Sequence, residues 1–306
     1  MHGSRAVSIT PLICALALAA CQDEGITAPM ERSELPLMGK GLFNGPGLRG
    51  SIAFQSDRSG NWDLYETDLG TGFVRQLTTS LAVDLDPYWW DRGSGLLFTS
   101  NREGNFEVHS LDVASGAVTR LTTSDPFTDG GPSGHRGLVA FASGRDGDFD
   151  IYLLDPATGF LRQLTNDPGD QIEPDLSSDG KYVVYTSGLG GSTHIWIVEV
   201  ATGVKTELTM GFSPDSRPAF SPSGRQIAYV NNGNVWILDL NAGTHALAAS
   251  SPFIDTSPAW SPNGDFIAFA SNRDGDFDIY ALHVESGALA QITNDPAQED
   301  FPTWKK

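Results

Sequence analysis

The sequence predicts an all-β fold, a six-bladed β-propeller of four-stranded antiparallel blades over residues 50–306, closed by a C-terminal strand that joins the first blade. Three observations carry this. A polar residue ends an apolar run six times, at Ser56, Ser100, Ser143, Ser187, Asn231 and Ser271, which is a period of about 44 residues, shortened to about 40 at the last step. An aromatic stands two residues before each landmark (Phe54, Phe98, Phe141, Tyr185, Tyr229, Phe269) and an aliphatic four before it (Ile52, Leu96, Val139, Val183, Ile227, Ile267); period-two apolar placement is a strand with one face in a core. The chain's 34 glycines and 18 prolines recur at regular intervals between such runs, as turns do in a fold of many short strands.

Each unit then divides in order. A proline followed by an aromatic or apolar residue marks the first strand, as in Pro87-Tyr88-Trp89, Pro174-Asp175-Leu176, Pro218-Ala219-Phe220 and Pro258-Ala259-Trp260. Turns such as Ser221-Pro222-Ser223-Gly224 and Ser261-Pro262-Asn263-Gly264 lead into the second strand, with proline presetting φ and glycine relieving the bend. The third strand follows each landmark, in Asp63-Leu64-Tyr65, Glu107-Val108-His109, Asp150-Ile151-Tyr152, His194-Ile195-Trp196, Val235-Trp236-Ile237 and Asp278-Ile279-Tyr280. After a glycine turn come Val74 to Leu77, Val118 to Leu121, Leu161 to Leu164 and their counterparts, the outer strand. Four strands per period are propeller blades. The first unit opens at its second strand near Ser51, and Phe301-Pro302-Thr303-Trp304 supplies the missing first strand.

Before the repeats stands an address. Arg5 precedes an uncharged apolar stretch ending Leu18-Ala19-Ala20-Cys21, which resembles a lipoprotein signal peptide. At about 14 residues it is too short to span a hydrocarbon core of about 30 Å as a helix. Residues 1–20 are therefore read as a leader, Cys21 as the lipidated residue, and 21–49 as a lipidated cysteine with a flexible tether that spans about 30 Å as a coil. Because Cys14 lies in the leader, the mature domain is expected to have no internal disulfide. The residue after Cys21 is Gln22, which favours the outer membrane of a bacterial envelope over inner-membrane retention.

The stretch from Ser271 to Tyr280, Ser-Asn-Arg-Asp-Gly-Asp-Phe-Asp-Ile-Tyr, resembles the blade motif of TolB-type propellers, as do Ser56 to Tyr65, Ser100 to His109 and Ser143 to Tyr152. The unit at Ser187 loses the arginine, and the unit at Asn231 is shorter. The resemblance implies the propeller over nearly all of the chain after Gly50. TolB itself has an additional α/β domain before its propeller, where a linker stands here, so its role in an envelope complex is not expected to transfer unchanged. Similar propellers precede the catalytic domain of prolyl-oligopeptidase-like enzymes; no such domain is expected after Lys306.

Composition narrows the partners. A formal charge of −19, one unit more negative once Arg5 leaves with the leader, repels phosphate backbones and excludes nucleic acid as a natural partner. Chemistry is sparse. No Gly-x-Ser-x-Gly elbow, His-Glu-x-x-His pair or phosphate loop occurs, and His109, His135, His194, His245 and His283 sit at unrelated repeat positions, which reads as packing. Asp146-Gly147-Asp148-Phe149-Asp150 and Asp274-Gly275-Asp276-Phe277-Asp278 carry carboxylates at alternate positions but lack the glycine and glutamate of a calcium loop, so they read as hairpin turns. Trp89, Trp90, Trp196, Trp236, Trp260, Trp304 and Phe220 read as inter-blade packing rather than sugar platforms.

Two repeated sets are candidate sites. Arg58, Arg102, Arg145 and Arg273 share one position, with Asp63, Glu107, Asp150 and Asp278 five residues on; local ion pairs bracing each hairpin are expected, with a grip on a partner's carboxylates as the functional alternative. Three residues before each first-strand proline stand Asp84, Asp129, Gln171, Asp215, Asp255 and Glu299, which a propeller arranges around one mouth of its channel. These are either turn caps or a ring that binds a basic peptide or a divalent cation, the one cofactor considered. The expected function is a monomeric, non-catalytic propeller, attached to the membrane by its lipid alone, that binds an envelope protein or peptide. The alternative is a glycoside hydrolase or lyase using two mouth carboxylates, which glycoside hydrolysis needs at about 5–5.5 or 6.5–9.5 Å. Replacing Cys21 by serine is expected to move the protein from the membrane to the soluble fraction, and mass spectrometry of the wild type should show a lipid on its N-terminal peptide; a soluble, unmodified wild type overturns the anchor.

Overall fold

Alternation along the repeats commits both faces of the inner strands of each unit to neighbouring blades, the outermost strand staying largely exposed in most units, and the chain closes into a ring. The computed structural model describes residues 48–305 apart from 91–92, 125, 189–191 and 250. The leader, Cys21 and nearly all of the tether lie outside the described residues.

The strands in order are β1 (Ser51–Ser56), β2 (Asp63–Asp68) and β3 (Val74–Gln76); β4 (Asp84–Trp90), β5 (Gly95–Ser100), β6 (Glu107–Asp112) and β7 (Val118–Arg120); β8 (Asp129–His135), β9 (Leu138–Ser143), β10 (Asp150–Asp155) and β11 (Phe160–Gln163); β12 (Gln171–Leu176), β13 (Tyr182–Ser187), β14 (His194–Glu199) and β15 (Lys205–Glu207); β16 (Asp215–Phe220), β17 (Gln226–Asn231), β18 (Asn234–Asp239) and β19 (Thr244–Ala249); and β20 (Asp255–Trp260), β21 (Phe266–Ser271), β22 (Asp278–His283), β23 (Leu289–Gln291) and β24 (Glu299–Trp304). They form six antiparallel four-stranded sheets, five of them consecutive in sequence. The sixth is mixed, in the order β24-β1-β2-β3. The expected six-bladed closure is thus what the chain does.

The core lies in the seams. Ile52, Phe54 and Tyr65 of the first blade pack with Ala268, Ala270, Ile279 and Ala281 of the sixth, while Ala53 and Leu64, one residue out of phase, pack with Trp89, Leu96 and Phe98 of the second. Small residues on one face therefore receive large ones from the next blade. Trp89, Trp260 and Trp304 are buried in these seams, as inter-blade packing requires.

Every inner strand carries a bulge at the same place. The residue before its proline adopts φ of 51–59° in all six: Asp86, Gly131, Glu173, Arg217, Ser257 and Phe301. Only glycine enters that region freely; for the other five it costs about 1–3 kcal/mol each. The freed amides are caught by the preceding blade, Asp86 N donating to Gln55 Oε1 at 2.9 Å and Gly131 N to Thr99 Oγ1 at 3.0 Å. Further along, Trp89 N, Leu176 N and Phe220 N donate to Thr303, Ser133 and Asp175 of the blade before. The bulges fasten blade to blade.

Closure rests on β24, which pairs with β1 through Ile52↔Trp304, Ala53↔Thr303, Gln55↔Asp300 and Ser56↔Glu299. Trp304 also donates its indole N–H to Ala259 O at 3.0 Å, across the seam. Deleting residues 300–306 is expected to lower the melting temperature sharply and expose the edge of β1 to association, read by thermal melting and size-exclusion chromatography; an unchanged, monomeric melt is incompatible with this closure.

Candidate functional site

The mouth where each inner strand begins is built from one repeated module. Asp84, Asp129, Gln171, Asp215, Asp255 and Glu299 are the first residues of β4, β8, β12, β16, β20 and β24, each opposite the landmark Ser or Asn of the second strand. All six are buried. A carboxylate taken out of water needs a countercharge and further hydrogen bonds, and the hairpin arginines supply them. Arg102 Nη2 lies 2.9 Å from Asp84 Oδ1, Arg145 Nη2 3.0 Å from Asp129 Oδ2, and Arg273 Nη2 2.7 Å from Asp255 Oδ1, while Arg58 pairs with Glu299 across the closing seam. The same arginines donate Nε to Ser56, Ser100, Ser143 and Ser271. Each guanidinium also lies over an aromatic of its own blade, such as Tyr65 at 4.8 Å, Tyr152 at 4.6 Å and Tyr280 at 4.6 Å.

This corrects the expected pairing of the arginines with the acids five residues on. Asp63, Glu107, Asp150 and Asp278 point the other way, accepting from Thr78, Thr122, Thr165 and Thr293 just after the outer strands. The aromatic beneath each guanidinium directs it inward, so the first-strand acid is the carboxylate it meets. The six ring residues are brought to one mouth, but their side chains turn into the blades. The arginines stand where a mouth cation was considered.

Two blades depart together from the module. The fourth has lost the arginine, and there the acid is Gln171, whose amide donates to Asp167 O at 3.2 Å and to Gly169 O. The fifth keeps Asp215, answered by Asn231 Nδ2 at 2.7 Å and His194 Nδ1 at 3.5 Å. Burial raises the Asp129 carboxyl above its ordinary range; Ser143 and Arg145 oppose the rise and Glu107 adds to it.

The remaining candidates scatter. His109 is buried between Glu107 O at 3.0 Å and Glu103 Oε2 at 2.9 Å, and His245 caps Tyr229 at 2.9 Å. Asp146, Asp148 and Asp150, and Asp274, Asp276 and Asp278, each gather carboxylate oxygens within 4.8 Å. Gln163 and Gln291 donate an amide to the outer two acids of each triplet. Burial, with the neighbouring acids adding, pushes Asp150 up to about 6 and Asp278 to about 7.

Two features of the mouth escape a search for repeated residues. The bulged residues before the prolines form a ring in the channel, and no two are alike. Arg217 reaches from the fifth blade to Asp300 of the first at 3.3 Å and lies 4.5 Å over Phe301. Tyr88 of the second donates to Asp175 of the fourth at 3.1 Å and meets His135 Nε2 at 3.0 Å. The sequence signal was the place of these residues, each directly before the repeated proline. The second feature is a crown of exposed apolar residues in the loops entering the inner strands: Leu81 is 102% exposed, Phe127 42%, Phe212 104% and Phe253 44%. The two other loops carry exposed Pro168 and Pro296 at that level.

Comparison with known proteins reports the same architecture. The family model described as TolB beta propeller domain matches residues 130–234 and 216–306, more than half of the chain. No curated protein matches significantly. Among solved structures, TolB from Acinetobacter baumannii superposes with a TM-score of 0.76 at 23% identity, covering 84% of this chain and 66% of that one. Kuenenia stuttgartiensis hydrazine synthase superposes at 0.72 with 16% identity, over 87% of this chain and 50% of that one. An oligogalacturonate lyase from Vibrio parahaemolyticus gives 0.57 at 14% identity, over 78% of this chain and 73% of that one. At these identities the likeness is one of fold, and this chain spans just under two thirds of the length of the Acinetobacter TolB.

The mouth module makes its own prediction. Arg273→Met leaves Asp255 buried without its countercharge and is expected to cost about 3–5 kcal/mol. The double variant Arg273→Met/Asp255→Asn should recover a large part of that loss in urea unfolding. Equal destabilisation by single and double variants would show that the pair is not the unit.

Proposed function

The chain belongs to the TolB beta propeller domain family, and on that premise we propose that it is a non-catalytic, lipid-anchored propeller that binds a protein or peptide in the bacterial cell envelope. The observation that carries this is the apolar crown. Six loops at one mouth hold apolar residues at equivalent places, four of them large and exposed. Large apolar side chains exposed on several loops of one mouth offer a place where another molecule can dock, and the acidic net charge adds a preference for a partner with basic groups.

Orientation supports the same reading. β1 ends at the crown mouth, where Ser56 pairs with Glu299, and so begins at the opposite face. A tether entering at Ser51 would leave the crown clear of the membrane. The lipid on Cys21, the outer membrane and the monomeric state belong to this proposal.

The enzyme alternative, a glycoside hydrolase or lyase acting through the mouth carboxylates, is less well served. Four of the six ring residues are buried in ion pairs with arginines, which engage their carboxylate oxygens.

The full chain carrying Cys21→Ser, used as bait in envelope extracts, is expected to retain a stoichiometric protein partner. Each crown phenylalanine contributes about 1.5–3 kcal/mol if buried, so Phe212→Ser/Phe253→Ser should weaken that partner by at least ~100-fold with an unchanged melting temperature. Retention equal to that of the unsubstituted bait would remove the crown from the interface.

A further inference from the structure

Midway down the channel the six bulged residues divide into two sectors. On one side they engage one another. Arg217 donates to Ser257, lies 3.6 Å from Glu173 and 3.3 Å from Asp300, and covers the Phe301 ring, while Ser257 donates to Asp300 at 2.5 Å. The other side, in the second and third blades, is furnished differently. Gly131 brings no side chain, and a Cβ there would meet only Pro174 Cδ, at 3.9 Å. Asp86 accepts the Thr99 hydroxyl at 3.0 Å on one oxygen. Beside it, the fully buried Gln55 holds the Asp86 amide with Oε1, and its Nε2 has no hydrogen-bond partner among the described residues. A buried amide donor is almost always satisfied in a folded protein. The cross-section also sets three carboxylates, Asp86, Glu173 and Asp300, against one guanidinium. The open sector therefore lacks a hydrogen-bond acceptor at Gln55, and Asp86 has to share the one guanidinium, Arg217, with Glu173 and Asp300.

We propose that this sector is a seat for a primary ammonium flanked by a carbonyl, the pair of groups that a peptide presents at its free N-terminus. The ammonium lies against Asp86, the first carbonyl accepts from Gln55 Nε2, and the first side chain takes the space left by Gly131. The assignment rests on the crown reading, because the ligand enters at that mouth, and it adds what the channel selects. A lysine side chain carries the same ammonium without the adjacent carbonyl, and so satisfies Asp86 but not Gln55.

Ionisation gives the seat a pH window. Asp86 is pushed up to about 6 by burial, with Asp300 adding and Thr99, Arg217 and the Gly131 amide opposing, while Glu173 pairs with Arg217 at 3.6 Å. Below that value the carboxyl is protonated and attraction for the ammonium is lost. Above about 8 a peptide α-amino group loses its own proton. Affinity should peak between these limits.

The test uses the full chain carrying Cys21→Ser and three probes: Ala-Ala-Phe-amide, its N-acetylated form, and acetyl-Lys-Ala-Phe-amide, titrated by calorimetry from pH 5 to 9. The free-amino probe is expected to bind at least ~10-fold more tightly than either acetylated one. Asp86→Asn should remove that preference and the acid limb of the profile. Gly131→Ala, which adds a methyl with no close contact but at a positive φ that lowers the melting temperature, should keep the fold and weaken the free-amino probe at a temperature below its melt, and so tests the seat if Asp86→Asn fails to fold. Equal binding of the three probes, tighter binding of the lysine probe, or no binding of any probe overturns the seat. The crown reading stands or falls separately, on whether Phe212→Ser/Phe253→Ser releases the captured partner while Asp86→Asn retains it.

Discussion

The buried guanidinium–carboxylate pair at the mouth end of a blade is the interaction on which the rest of the structure depends. An acid at the first position of the inner strand lies where water cannot reach it, and a lone charge there costs several kcal/mol. Arg58, Arg102, Arg145 and Arg273 answer it. Two units lack the arginine: in the fourth the acid has become Gln171, and in the fifth Asp215 remains, with Asn231 and His194 taking over the task. A lost countercharge is met either at the acid or by substitute partners.

From that pair the architecture follows outward. The guanidinium has to lie over the aromatics of the second and third strands to reach the acid, and those aromatics fill the seams between blades. Phe54 and Tyr65 stack at 6.0 Å, as do Phe141 and Tyr152. The landmark serine anchors Nε, so one residue type at one position ties together the turn, the inner strand and the core. In the first blade the pair joins Arg58 to Glu299, fastening the two ends of the domain.

Most of the fold was legible in the sequence, because a propeller repeats its burial pattern and repetition exposes strands, turns and closure together. The acid ring was legible as a set, yet its environment was not. Sequence separation suggested that Arg273 would meet Asp278, five residues away, whereas antiparallel pairing of β20 with β21 sets Asp255 beside the landmark Ser271, two residues before the arginine. Contacts across strands obey register, not proximity in the chain. The channel ring was missed for the opposite reason: Asp86, Gly131, Glu173, Arg217, Ser257 and Phe301 share a backbone conformation and nothing else, so a search for recurring residue types passes over them. The crown was hidden among loop residues whose exposure only the folded ring determines.

The mixed first blade also decides how the domain bears load. β1 is held between β24 and β2, with hydrogen bonds on both edges. A pull on the chain ahead of Ser51 runs along the strand axis, so it shears both ladders at once instead of opening them one bond at a time. Peeling, the weak mode for a β-strand, would require force at right angles. Tension between the two mouths would thus run through the strongest direction the sheet possesses, and the ring could carry it without losing its shape.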